Sequence, residues 1–158
     1  MSYRPLQRYS RGFTLIELIM VLVILSVISA YAAARWSPGD SAVHAEASHL
    51  ARDLRHAQSL AMTGGTRLTF DLLGSGGYQV SNSGGPVTDP ASGDPFAWSF
   101  ATGVTRGGSC GGIEFDTLGR PWAGGVLMSG SCSYVLSGDS VTATLTLTPV
   151  TGFVAVNP

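Results

Sequence analysis

This chain of 158 residues contains no lysine, and acids and arginines together make up only 12% of it. The missing lysine removes a phosphate-binding loop. Gly107-Gly108-Ser109 and Gly111-Gly112 are rich in glycine, but no Gly-Lys pair and no following helix complete the cradle. From Phe13 onward six arginines face ten acids, a formal side-chain charge of −4, so nothing draws the chain generally toward nucleic acid. The two cysteines, Cys110 and Cys132, lack C-x-x-C companions, and His44, His49 and His56 lie far upstream of both, which argues against a metal site. The histidines are spaced by five and seven rather than by the four that brings two imidazoles together on a helix, and they read as solvated or capping residues. Asp89 and Asp94 flank a loop holding Pro90, Gly93 and Pro95, but two acids are too few to argue a calcium site. No catalytic constellation is present. The expectation is a protein that is not an enzyme and has no cofactor or metal.

What the chain has in quantity is apolar sequence. It runs over residues 13–34, and at about 1.5 Å per helical residue it just spans a hydrocarbon core of roughly 30 Å. Arg4, Arg8 and Arg11 precede it and keep the N-terminus cytoplasmic, so everything after the span lies outside the inner membrane. Glu17 sits near the start of this run. A charge within the bilayer costs on the order of 3 kcal/mol by insertion scales, so an acid there calls for a function and a partner.

The stretch Gly12-Phe13-Thr14-Leu15-Ile16-Glu17-Leu18, followed by Ile19-Met20-Val21-Leu22-Val23-Ile24-Leu25, resembles the class III signal of type IV prepilins and of the pseudopilins of type II secretion. The resemblance implies cleavage between Gly12 and Phe13 by prepilin peptidase, a membrane-embedded aspartyl peptidase, and N-methylation of the new terminal Phe13. It also supplies a partner for Glu17, the N-terminal amine of a neighbouring subunit, whose positive charge lessens the cost of burying both. Two plainer readings are a single-span anchor and an ordinary secretory signal cut near Ala30-Tyr31-Ala32. The latter fits less well, because an h-region of about 7–15 residues is shorter than this run and tolerates a central acid poorly.

The chain divides into a leader over 1–12, a transmembrane or filament-core helix over 13–36, an amphipathic helix over 40–63 and a periplasmic β domain over 65–158. Arg35 and Trp36 read as anchors at the outer interface. Pro38-Gly39 is expected to kink or stop the helix, with Asp40 or Ser41 capping a restart. Beyond it Val43, Ala47, Leu50, Leu54, Ala57 and Ala61 step by fours and threes, which is one helix face, with His44, Arg52, Arg55 and Gln58 on the other sides and Gly64-Gly65 as the stop. After Gly65 the period becomes two. Residues 66–71 and 78–80 read as a hairpin across 74–77, and 81–95 as an exposed loop. Further strands are expected near 96–100, 113–116, 126–128, 133–136, 141–148 and 152–156. Within 142–148 the threonines alternate with Ala143, Leu145 and Leu147, one face polar and one buried. Asp116 and Gly119 supply turn chemistry before a strand starting at Arg120-Pro121. Trp36, Trp98 and Trp122 read as core or interface aromatics. Cys110 and Cys132, exported to an oxidising compartment, read first as a disulfide, the alternative being two buried thiols.

A second resemblance rests on Leu54-Arg55-His56-Ala57-Gln58-Ser59-Leu60-Ala61, on the turn Phe115-Asp116-Thr117-Leu118-Gly119-Arg120-Pro121 and on the closing Leu147-Thr148-Pro149-Val150-Thr151-Gly152. These look like the branch of the minor pseudopilin H and the FimT-type minor pilins. The implied fold is α+β, a long N-terminal helix whose amphipathic half packs on an antiparallel two-sheet β domain. The implied function is structural: a minor pilin of a type IV pilus or a minor pseudopilin of a type II secretion system. It would be a single-pass inner-membrane protein whose partners are other pilin subunits, prepilin peptidase and the inner-membrane assembly platform. The rival reading is a DNA-binding minor pilin for uptake, but the chain after Gly152 reads Phe153-Val154-Ala155-Val156 with no basic residue, and nucleic acid is not an expected partner.

Overall fold

The change of apolar period at Gly65 separates helix from sheet in space as it does along the chain. The computed structural model describes residues 13–35 and 38–157; the leader with Gly12, the anchor Trp36 and the side chain of Arg35 lie outside the described residues. Two compact units divide between Trp36 and Ser37. The first holds helix α1 (Leu15–Arg35), whose stretch from Leu15 to Ala32 is long and apolar enough to cross a membrane and has none of its residues buried.

The second unit holds helix α2 (Pro38–Gly64) and the strands. α2 starts ahead of the expected caps at Asp40 and Ser41, because proline in the first turn of a helix has no N–H to lose. Strands β1 (Leu68–Leu72), β2 (Gly77–Asn82), β3 (Gly85–Pro86), β4 (Ala97–Ser99), β6 (Ile113–Phe115), β7 (Pro121–Ala123) and β8 (Val126–Leu127) form one antiparallel sheet in the order β3-β2-β1-β6-β7-β8, with β4 also on β2. The second sheet, also antiparallel, runs β11-β10-β9-β5 and is built from β5 (Thr105–Gly108), β9 (Cys132–Ser137), β10 (Thr142–Leu147) and β11 (Val154–Asn157). The fold is therefore α+β.

Two segments depart from expectation. Residues 81–95 are not a plain exposed loop: Val87 donates to Val80, Thr88 bridges Pro95, and Phe96 donates back to Val87, so the segment is a folded ribbon. β5 was hidden by its glycines, which carry no alternation. It exists because β9 supplies a ladder, Gly107 opposite Val135 and Gly108 opposite Tyr134.

The core is the meeting of α2 with both sheets. Val43, Ala47, Leu50, Leu54, Ala57 and Ala61 are fully buried, as the stripe predicts, and Ala51 joins them. They face β1 and β6 of the first sheet and β9, β10 and β11 of the second. Phe70, Tyr78, Val80 and Phe115 close the core from one side, and Tyr134, Leu136, Leu145 and Leu147 from the other. Truncating either Leu50 or Leu54 to alanine would cost roughly 2–5 kcal/mol, since a close-packed interior only partly refills the hole.

Polar groups pin the turns onto α2. Gln58 donates from one amide nitrogen to the carbonyls of Gly119 at 2.7 Å and Thr151 at 2.8 Å, joining the β6–β7 and β10–β11 turns. Both turns need glycine beside it: Gly119 and Gly152 have positive φ, and a Cβ there would meet Met62 Sδ at 2.7 Å or Gln58 Nε2 at 2.5 Å. Asp116 is buried and accepts from the N–H groups of Leu118 and Arg120, the Arg120 guanidinium and the Trp122 indole. Burial alone would raise its pKa; the hydrogen bonds, that from the Arg120 backbone foremost, outweigh it and hold the carboxyl down to about 2. The disulfide joins Cys110 to Cys132, and Cys110 N–H donates to the Ser133 carbonyl, so the segment before β6 is tied to the start of β9.

Two outcomes follow. Because the folded pKa of Asp116 is depressed, its stabilisation is present above the ordinary carboxylate range and is lost as pH falls from about 4 through about 2. Asp116→Asn should therefore lower stability at pH 7 by about 2 kcal/mol and close most of that gap by pH 2, as read by chemical denaturation at both pH values. Reducing the disulfide, which closes a loop of sequence separation 22, should destabilise the domain by about 3 kcal/mol in the same assay, and an unchanged midpoint would refute that figure.

Candidate functional site

The signal-bearing segment acquires a local physical reason in the structure. Phe13 and Thr14 precede α1, and Thr14 is its N-cap: the Glu17 N–H donates to Thr14 Oγ1 at 3.3 Å, and the Leu18 N–H to the Thr14 carbonyl at 3.2 Å. Thr14-Leu15-Ile16-Glu17 has the spacing of a capping box, and Glu17 lies in the first turn, where the positive end of the helix favours an acid. The Glu17 side chain is exposed, and among the described residues no cation pairs with it. Phe13 is 83% exposed, and Leu15, Ile16, Leu18 and Met20 project into surroundings with no protein to cover them. A helix with an apolar surface on every side suits surroundings of lipid or of other apolar helices, and an acid in its first turn is unusual there.

On α2 the structure brings together residues that looked scattered. Glu46, His49, Asp53 and His56 form a second, polar stripe beside the apolar one. Buried Glu46 accepts the Trp98 indole N–H at 2.8 Å and the Ala101 N–H at 3.0 Å. His49 stacks on Trp98 with ring centroids 3.9 Å apart, and its Nδ1 lies 3.0 Å from the Tyr78 hydroxyl, which itself donates to Asp53 at 2.7 Å. Burial first, and then the bond to Asp53, push the Tyr78 hydroxyl far above the ordinary phenol range, so it stays a neutral donor. His56 meets the edge of Phe96 and lies 3.5 Å from Asp89. His49 is thus packed between helix and sheet rather than solvated, His56 is partly covered by Phe96 with its side chain 37% exposed, and His44 is exposed. The signal that would have found this stripe is its spacing of three, four and three along one helix.

Of the residues singled out from sequence, Cys110 and Cys132 are joined, and Trp98 and Trp122 are fastened to buried carboxylates through their indole N–H groups. Asp89 and Asp94 both line a cleft beside α2, yet among the described residues no group of three or more His, Cys, Asp or Glu side chains is placed to hold a metal ion.

Comparison with known proteins agrees with the N-terminal geometry and with the fold. Residues 7–33 match the prokaryotic N-terminal methylation motif. No curated protein sequence matches the chain. Among solved structures, the type IV minor pilin FimU of Pseudomonas aeruginosa strain PAO1 superposes in two crystal forms, each with a TM-score of 0.54, at 14% and 15% identity. The match covers 73% of this chain in both, and 92% and 88% of the FimU chains.

Proposed function

We propose that this chain, type IV pilin-like in its N-terminal motif and in its fold, is a minor filament subunit of a type IV pilus or of a type II secretion pseudopilus. The observation that carries the reading is the Thr14 cap, which sets Glu17 in the first turn of a helix whose apolar side chains from Leu15 to Ala32 are left uncovered. Prepilin peptidase cleaves after Gly12, leaving Phe13 as the N-terminal, methylated residue. α1 is held as a single span in the inner membrane with the β domain in the periplasm, and the assembly platform then moves it into the filament, where other subunits' helices replace lipid around it. In that apolar interior Glu17 receives the N-terminal amine of a neighbouring subunit, and each charge lowers the cost of burying the other.

The arginines support a structural role over DNA capture. Arg55 donates to the Val154 carbonyl, Arg67 to Glu114, Arg106 to the Gly74 carbonyl and Arg120 to Asp116, and Arg52 leans on Asp53. Cations each engaged by a separate acceptor of the domain do not make the clustered patch that phosphate needs.

Intact-mass analysis of membrane-extracted protein should find a chain beginning at Phe13 with one methyl group; a start after Ala32 would sink the proposal. Glu17→Ala should leave that cleavage intact but reduce the subunit in sheared filament fractions several-fold, because a neighbour's amine then enters the apolar core unpaired. Equal incorporation of mutant and wild type would remove the role given to Glu17.

A further inference from the structure

The end of α2 near Gln58 carries an apolar surface that the domain itself does not cover. Seven large apolar side chains of the domain are exposed among the described residues, and four of them, Met62, Leu118, Val150 and Phe153, gather here at 52–67% exposure; Leu73, Trp98 and Val126 make up the seven. Gly119, next to Leu118, abuts the Met62 side chain, and Gly152, between Val150 and Phe153, abuts Gln58 and the Gly119 carbonyl. The four side chains therefore surround one point, where Gln58 ties the β6–β7 and β10–β11 turns together. Val150 adds an independent observation. Glycines apart, it alone among the described residues has a positive φ, of 66°. Crowding of Cβ against the backbone makes that conformation unfavourable for a β-branched residue, whereas glycine or asparagine adopts it readily. The core would lose nothing by such a change, since Val150 lies outside it. A strained valine held in solvent serves something other than the fold.

Exposed apolar patches flanked by polar residues mark protein contacts, and Thr63, Thr117 and Thr151 flank this one. No charged residue adjoins any of the four along the chain, so the surface lacks the cations by which a domain holds anionic lipid or nucleic acid. Its partner is an apolar, uncharged protein surface. The patch is also small: four side chains fall far short of the about 20–30 residues a side that hold a stable complex together. It can act only between domains that something else already keeps adjacent, where a high effective concentration makes a weak contact count. In a filament subunit α1 supplies that tether. The patch stands at the end of α2 opposite Pro38, roughly 36 Å along the helix, as a head-to-tail contact requires of a surface that repeats along an axis. We infer that this patch packs against the domain of the adjacent subunit, an assignment that rests on the chain being a filament subunit and names the surface by which its domain touches the next.

The test compares full-length variants expressed together with the other subunits of their filament system. Val150→Asn and Leu118→Ser should each lower the subunit in sheared filaments roughly threefold to tenfold relative to wild type, while Leu73→Ser, at an exposed leucine outside the patch, leaves it unchanged. The denaturation midpoint of full-length Val150→Asn in detergent micelles should equal or exceed the wild-type value, because the backbone strain is relieved. On irradiation of intact filaments, Phe153→p-benzoylphenylalanine should cross-link to the domain of another N-methylated subunit, identified by mass mapping of the adduct. Unchanged incorporation of either patch variant, an equal loss in Leu73→Ser, a lowered midpoint in Val150→Asn, or photo-adducts to phospholipid or to no subunit would each overturn the inference, while wild-type incorporation keeps the filament reading intact. Absence of the wild-type chain from sheared filaments would overturn both.

Discussion

One helix face has to satisfy two sheets at once. The buried stripe of α2 contacts β1 and β6 on one side and β9, β10 and β11 on the other, so each sheet buries its apolar face largely by way of the same residues. Small residues at Ala47, Ala51, Ala57 and Ala61 let the strands come close, while Leu50 and Leu54 fill the space between. The rest of the domain is arranged around that requirement. Gln58 joins two turns at one end of the stripe, Glu46 fastens β4 and Ala101 toward the other, and the disulfide secures the segment that leads into β6.

The polar side of α2 holds its neighbours by a different means. Glu46, His49 and Asp53 do not form simple surface ion pairs, which are worth little; they act through Trp98 and Tyr78, whose ring bodies are packed while their polar atoms are bonded. Such a network orders a short strand and a ribbon whose own residues, rich in glycine, proline and serine, bury few apolar groups. The same economy leaves a cleft at the end of the stripe, where the acids outnumber the cations.

α1 obeys the opposite rule. α2 finds its apolar partners within its own domain, whereas α1 shows an uncovered apolar surface, and only lipid or other helices can meet it. Its first turn combines a cap that any helix could use with an acid that a lipid-facing helix would ordinarily avoid. Capping explains why Thr14 and Glu17 are three residues apart; it does not explain why Glu17 should stand in an apolar run, which is what the proposed assembly with an incoming amine would account for.

From the sequence alone came everything that depends on period, composition and short-range spacing. The apolar run with Glu17, the α2 stripe, the alternation in β10, the Asp116 turn and the pairing of Cys110 with Cys132 were legible because each is a property of residues a few positions apart, or of the sole cysteine pair available. Tertiary structure alone decided what depends on a distant partner. β5 has no pattern until β9 pairs with it, and the ribbon over 81–95 looks like a loop until its ends bond to each other. His49 looks solvated until Tyr78 of β2 and Trp98 of β4 arrive, and His56 until Phe96, just before β4, covers part of it. The cleft follows the same logic, since Asp53 and His56 meet Asp89 and Asp94 only because the ribbon folds back onto the helix. Local periodicity reports which face of an element is buried; it carries no information about which remote side chain will lie against it.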